Sequence, residues 1–147
     1  MSTIRAILNR KGNSFWFIEP DATVLQAAKR LHAKGIGALL VMEDERLLGI
    51  FTERDLVRLL ATRGAQCLDM NIQEVMTRQV LGVKPETSVE ECMALMSDKG
   101  IRHLPVMDGK RVLGVVSNRD VVFEAIADRD NLLVGMDVLI ANHEFPT

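Results

Sequence analysis

A chain built from two copies of one segment must fold as two like units facing the same packing problem. Setting this sequence against itself at an offset of 65 residues aligns 18–59 with 83–124 without a gap, and 14 of the 42 pairs are identical. They include Pro20/Pro85, Val24/Val89, Gly35/Gly100, Leu39/Leu104, Val41/Val106, Gly49/Gly114, Arg54/Arg119 and Asp55/Asp120. Such agreement in unbroken register marks an internal duplication. Its most informative stretch is Leu47-Leu48-Gly49-Ile50-Phe51-Thr52-Glu53-Arg54-Asp55, repeated as Val112-Leu113-Gly114-Val115-Val116-Ser117-Asn118-Arg119-Asp120. Each copy is an apolar run with a glycine near its start, then a hydroxyl residue, then a carboxylate three positions on. The run reads as a buried strand and the Thr/Ser-x-x-Asp as a helix start.

The hydroxyl and carboxylate admit two readings. One is helix capping, in which the hydroxyl accepts from a backbone N–H two or three residues on and the acid reaches back. The other is ligand binding at a strand-to-helix junction. There free N–H groups and the positive helix end face a phosphate, and a carboxylate accepts from ribose hydroxyls. Duplication does not choose between them, because a duplicated fold duplicates its caps.

Each copy predicts the order β-α-β-β-α. Phe15–Ile18 and Val80–Val83 are short apolar segments suited to an edge strand, closed by Pro20 and Pro85. Thr23 and Ser88 open helical patterns carried by Val24, Ala27, Ala28 and Leu31, and by Val89, Cys92, Met93 and Met96. Gly35 and Gly100 stop them. Two strands follow in each copy, Ala38–Met42 to Leu47–Phe51 and Leu104–Met107 to Val112–Val116, and a last helix starts at Glu53 and at Asn118. Three strands and two helices leave an apolar face uncovered, so the two units are expected to pack on each other. The units span 10–66 and 72–127, with a short helix at 3–8, a helical turn at 72–76 and a last helix at 128–141.

Composition narrows the function. A formal charge of -2 argues against a nucleic-acid binder relying on a basic face. With 48% hydrophobic but only 4% aromatic residues, the core must be aliphatic. Cys67 and Cys92 form neither a CxxC nor a zinc spacing. His32, His103 and His143 are too scattered for a metal site. The amino terminus lacks the apolar core of a signal peptide, and the run Gly35–Met42 is too short to span a bilayer. A cytoplasmic protein without membrane contact is the expectation. No G-x-S-x-G elbow, P-loop or Ser-His-Asp set is present. The glycines form no G-x-G-x-x-G turn, so any NAD would not be held as in a dehydrogenase.

The repeated unit resembles the CBS domain, and the pair resembles a Bateman module. The matching pieces are Pro20–Val24, Lys34–Val41 and Gly49–Asp55 in the first copy, then Pro85–Val89, Gly100–Val106 and Gly114–Asp120 in the second. Glu74-Val75-Met76-Thr77 is similar to the family's lead into a second repeat, and the likeness covers about residues 15–127. It implies an α/β (α+β) fold with the two repeats packed pseudo-symmetrically, and a homodimer shaped as a flat disc. It also implies clefts between the repeats that take adenosine-containing ligands: AMP, ADP, ATP, NAD or S-adenosylmethionine.

By the same resemblance Asp55 and Asp120 take ribose hydroxyls, while Thr52 and Ser117, with Arg54 or Arg119, hold phosphate. Ile36, Gly37 and Ala38 line one base pocket, and Ile101, Arg102, His103, Leu104 and Pro105 the other. Thr77, Gln79 and Val80 contact a base, with Ser14, Trp16 and Phe17 as their counterparts. Gly37-Ala38 brings no charge to its cleft and Arg102-His103 brings donors, so phosphate is expected to be better held where Arg102 reaches. Trp16, with Phe15 and Phe17, is expected in the core, the alternative being a shield for an adenine edge or a dimer seam. Cys92 reads as core and Cys67 as a linker residue. The function expected is a non-catalytic sensor of adenine nucleotides or NAD, the rivals being a ligand-free dimerisation module and an enzyme.

Overall fold

The computed structural model describes residues 2–128; the helix expected at 128–141 lies outside them from residue 129 onward. The first repeat contains β1 (Phe17–Ile18), α2 (Val24–Lys34), β2 (Ala38–Glu43), β3 (Arg46–Thr52) and α3 (Glu53–Arg63), after a leading helix α1 (Ile4–Lys11). A 3-10 helix (Gly64–Asp69) and the short α4 (Ile72–Val75) lead to α5 (Val89–Lys99), β4 (His103–Asp108), β5 (Arg111–Ser117) and α6 (Asn118–Ala127).

Local chemistry explains the element ends. The Thr23 hydroxyl accepts from the Gln26 amide while the Gln26 side chain accepts from the Thr23 amide, and the Ser88 hydroxyl accepts from the Glu91 amide. Gly35 and Gly100 end α2 and α5 in the left-handed region, with φ of 62° and 64°. Both hairpins turn on two residues, Asp44-Glu45 and Gly109-Lys110, and the first residue of each pair has positive φ.

The two sheets differ. β1, β2 and β3 form a three-stranded sheet with β1 parallel to β2, but β4 and β5 stand as a two-stranded sheet. The edge strand expected at Val80–Val83 shrinks to one bridge, Val83 to Val106. The cause is Pro105. In the first repeat the Leu40 amide donates to the Trp16 carbonyl at 3.1 Å. The residue in the Leu40 position of the second repeat is Pro105, which has no N–H to give.

Three apolar clusters form the interior. One gathers Ile18, Val24, Leu31, Leu39, Val41 and Phe51 of the first repeat with Cys67 and Ile72. Cys67, expected as a plain linker residue, is thus core. A second gathers Val83, Val89, Cys92, Leu104, Val106 and Val116 of the second repeat with Ile4, Ile7 and Leu8 of α1. A third, centred on Leu40, Met42 and Ile50 and flanked by Val80, Val112 and Val115, joins the two sheets. Each fully buried aliphatic or aromatic side chain stabilises by roughly 1.5–3 kcal/mol.

The lead-in segments that precede the two repeats are exchanged between them. The Ile4 and Arg5 amides donate to the Thr87 and Pro85 carbonyls, and the Val89 amide to the Ser2 carbonyl. The same trio recurs as Ile72 to Ala22, Gln73 to Pro20 and Val24 to Met70. Helix α1 therefore docks on the second repeat and α4 on the first. These positions match at an offset of 68, three more than in the repeats, which is why an ungapped comparison passes over them. No helix among the described residues is long and apolar enough to cross a membrane.

Candidate functional site

The two helices that follow the repeated motif begin in clefts, each lined by both repeats. The first cleft, about 650 Å³, sets Thr52, Arg54 and Asp55 of the first repeat against Thr77, Gln79–Leu81 and Gly100–Leu104 of the second. The second, about 510 Å³, sets Ser117, Arg119 and Asp120 against Ser14–Trp16 and Gly35–Ala38 of the first repeat. Each combines a helix start and an acid from one repeat with strand starts and a lead-in from the other.

The repeated glycines explain how the halves come this close. A Cβ on Gly49 would stand 2.6 Å from the Met76 sulfur and 2.7 Å from the Thr77 carbonyl oxygen. Its absence lets Ile50 and Thr77 exchange two backbone hydrogen bonds of 3.0 Å, which bring the lead-in to the cleft wall. Gly114 faces the other lead-in, where a Cβ would stand 2.9 Å from the Leu8 Cδ2 atom.

Both acids cap their own helices. One carboxylate oxygen of Asp55 accepts from the Thr52 amide at 2.9 Å, and the Asp55 amide donates to the Thr52 hydroxyl at 3.2 Å. Asp120 and Ser117 repeat this at 2.8 and 3.1 Å. Capping engages one oxygen of each. The other oxygen of Asp55 has the Arg58 guanidinium 3.7 Å away.

The clefts differ in charge. Lys11, at the end of α1, donates to Asp120 at 2.8 Å and to the Val115 carbonyl at 3.0 Å. Burial would raise the Asp120 carboxyl, but hydrogen bonds from Lys11 and Ser117 outweigh it and hold the group below its ordinary value. One turn along α6, the buried Glu124 takes Arg10 and the Ser2 hydroxyl, so α1 is fastened to α6 by successive polar contacts.

Several expectations for the site residues change. Arg102 and His103 line both clefts, together with Glu53. They are a shared wall, not the property of one pocket. Burial lowers the His103 pKa below 6.5, while Glu53 and Asp120 pull it upward and Lys11 and Arg102 push it further down. Pro105 and Phe17 line neither cleft: Pro105 is buried in its sheet, and Phe17 points outward from an edge strand, 48% exposed. Trp16, expected in the core, is 45% exposed on the wall of the second cleft, with the Lys34 ammonium 4.3 Å from its ring centroid. Only Phe15 of this trio packs against the core.

Ile36, Gly37 and Ala38 lie in the second cleft with Ser14, while Thr77, Gln79, Val80, Ile101 and Leu104 lie in the first. Sequence reasoning missed Glu53 and Lys11 as wall residues. Glu53 sits between Thr52 and Arg54 of the motif and was legible there. Lys11 precedes the aligned window and had no signal. Among the described residues no group of His, Cys, Asp and Glu is arranged to hold a metal ion.

Comparison with known proteins gives this geometry a family. The model of the CBS domain matches residues 5–62 and 72–127. The chain belongs to the CBS-domain family. The structure of the CBS-domain containing protein ATU1752 from Agrobacterium tumefaciens is 36% identical, covers 84% of this chain and 99% of that one, and superposes with a TM-score of 0.82. The mitochondrial CBS domain-containing protein CBSX3 of Arabidopsis thaliana is 36% identical over 130 residues, 82% of this chain and 63% of its own. The first curated relatives are thus longer, this chain spanning 54–63% of their length. The CBS domain pair of MJ0100, solved with 5′-methylthioadenosine and S-adenosyl-L-methionine, is 26% identical with a TM-score of 0.73 and covers 87% of this chain and 98% of that one. The two repeats form one CBS pair, and its clefts are those between the CBS domains.

Proposed function

We propose that this CBS pair is a non-catalytic sensor that binds an adenine nucleotide (AMP, ADP or ATP) or NAD in the clefts between its repeats. The observation that carries the reading is the cross-repeat construction of both clefts. Each brings a hydroxyl-capped helix start and an acid to face apolar and backbone surface of the other half. Capping leaves one carboxylate oxygen of Asp55 and of Asp120 to accept from a ribose hydroxyl. The helix starts at Thr52 and Ser117, with Arg54 and Arg119, suit phosphate. Ile101 and Leu104 in one cleft, and Ile36, Ala38 and Trp16 in the other, supply apolar surface for a base. The MJ0100 pair in complex with two adenosine compounds supports the ligand class.

A ligand bound this way touches both repeats, and it acts on a partner only by preferring one arrangement of them. The active form in this reading is a cytoplasmic homodimer. The outward apolar residues Val57 on α3 and Phe123 on α6, 65% and 58% exposed, support a seam along these helices. The capped state of both acids favours one competing reading, a dimerisation scaffold whose clefts have no physiological ligand.

Thermal unfolding separates the two. Millimolar AMP or NAD raises the melting temperature of a sensor through preferential binding to the folded state, and Asp55→Ala/Asp120→Ala abolishes the rise. An unchanged melting temperature with every adenosine ligand would establish the scaffold. Mass spectrometry of small molecules released from the denatured purified protein identifies the ligand itself.

A further inference from the structure

The shared wall of the two clefts departs from the symmetry of everything around it. Arg102 and His103 align with Gly37 and Ala38. A symmetric pair would give each cleft its own set of donors at these positions; here the second repeat alone supplies them. The imidazole uses the space left by its symmetry mate's neighbour. A Cβ on Gly37 would stand 3.1 Å from His103 Cε1 and Nε2, and 3.3 Å from a carboxylate oxygen of Glu53. His103 therefore crosses to the first repeat and stands by the start of α3.

The remaining cations divide between the clefts. Arg54 and Arg119 go one to each, and Arg54 donates to the Gly100 carbonyl at 3.3 Å. Arg58 faces Asp55, Lys99 lines the first cleft alone with Asp98 3.8 Å from its ammonium, and Lys11 is taken up by Asp120 and Val115. Arg102 and His103 are the cationic and titratable donors in reach of both.

We infer that Arg102 and His103 are the phosphate-discriminating residues of both clefts, a single anion-recognition element used by two sites. The inference rests on the nucleotide-binding reading above and adds to it a rule of occupancy. A guanidinium turned to a phosphate on one side of the wall is withdrawn from the other. Two phosphates flanking one shared wall also repel across an environment less polarisable than water. A phosphate beside His103 favours its protonated form, in the same direction as Glu53 and Asp120 and against Lys11 and Arg102. Phosphorylated ligands thus fill the clefts with negative cooperativity, whereas the unphosphorylated nucleoside fills them independently.

Calorimetric titration of the full chain at neutral pH tests this, using AMP and adenosine as probes. Asp55→Ala and Asp120→Ala each leave one cleft, and Asp55→Asn and Asp120→Asn stand in where the alanine variant unfolds, since an amide oxygen still caps the helix. The second AMP should bind the wild type roughly tenfold more weakly than it binds the corresponding single-cleft variant, with no such gap for adenosine. The first AMP should take up protons, read as a heat that changes with the ionisation enthalpy of the buffer, and His103→Gln should remove that uptake. Arg102→Gln should lower AMP affinity in both clefts and leave adenosine unaffected. Equal AMP affinities in wild type and single-cleft variants, or an effect of Arg102→Gln confined to one cleft, would overturn the inference while leaving nucleotide binding intact. Failure of the wild type to bind either probe would instead remove the sensor reading on which it rests.

Discussion

The first repeat carries a three-stranded sheet and the second a two-stranded one, although the two segments align residue for residue. The difference traces to Pro105, which stands where Leu40 donates a backbone hydrogen bond. The lead-ins differ in the same spirit. Around Gly49 the close neighbours are the Met76 side chain and the Thr77 backbone, while around Gly114 the closest is the tip of Leu8. The clefts differ as well, since Lys11 hydrogen-bonds Asp120 at 2.8 Å while the Arg58 guanidinium stands 3.7 Å from Asp55. A duplicated fold keeps its caps, turns and core positions because both copies need them. It is freer to diverge where a segment meets the other copy, because each copy meets a different partner there.

The largest effect should come from breaking the glycine pair. Gly49→Ala places a Cβ against the Thr77 carbonyl and the Met76 sulfur, and the backbone atom cannot step aside cheaply. Overpacking of this kind costs about 1–3 kcal/mol. Gly114→Ala meets a methyl group that a rotamer change can move, so its cost should stay below about 1 kcal/mol. Urea denaturation of the two variants gives the ranking directly, and equal losses would mean that the lead-ins are held alike.

A middling effect belongs to Lys11. Lys11→Met removes a partly exposed ion pair and should cost about 0.2–1 kcal/mol at neutral pH. Because Asp120 is depressed below 3.8 in the folded chain, its contribution is present above that ordinary value and is lost as pH falls through the folded value. The stability curves of wild type and Lys11→Met should therefore converge in acid. Curves that stay parallel would show that Lys11 acts through packing alone.

The smallest effect should follow Pro105→Val. A restored N–H can pair with the Leu81 carbonyl as Leu40 pairs with Trp16, for about 0.5–1.5 kcal/mol. The loss of proline's rigidity in the unfolded chain offsets this by about 0.4–1 kcal/mol. Net stability should scarcely move, but amide exchange at residue 105 should be as slow as at Leu40. Fast exchange there would assign the missing strand to something other than proline.

Much of this fold was legible in the sequence. Capping residues, helix-ending glycines and hairpins depend on neighbours a few positions away, and Thr23, Ser88, Gly35 and Gly100 all act where the pattern puts them. The duplicated Thr/Ser-x-x-Asp caps its helices for the same reason, and each copy lines a cleft. What the sequence hid is relational. Trp16 and Phe17 are apolar enough for a core, but an edge strand beside a cleft leaves them half-exposed. Cys67 looked idle because its core lies across a link of no clear pattern. The double membership of Arg102 and His103 depends on how two repeats abut, which no spacing within one repeat can express.

The exchange of lead-ins also decides how this chain can be divided. A chain severed after Arg63 would yield a front piece holding a helix whose dock is on the other piece, and lacking the Cys67 and Ile72 side chains that close its own interior. The rear piece would be left with the mirror-image defect. Each fragment would lack side chains that complete its own interior, and mixing the two would bring these docks back together. Duplication here produced two halves, each of which finishes its interior with a segment that precedes the other.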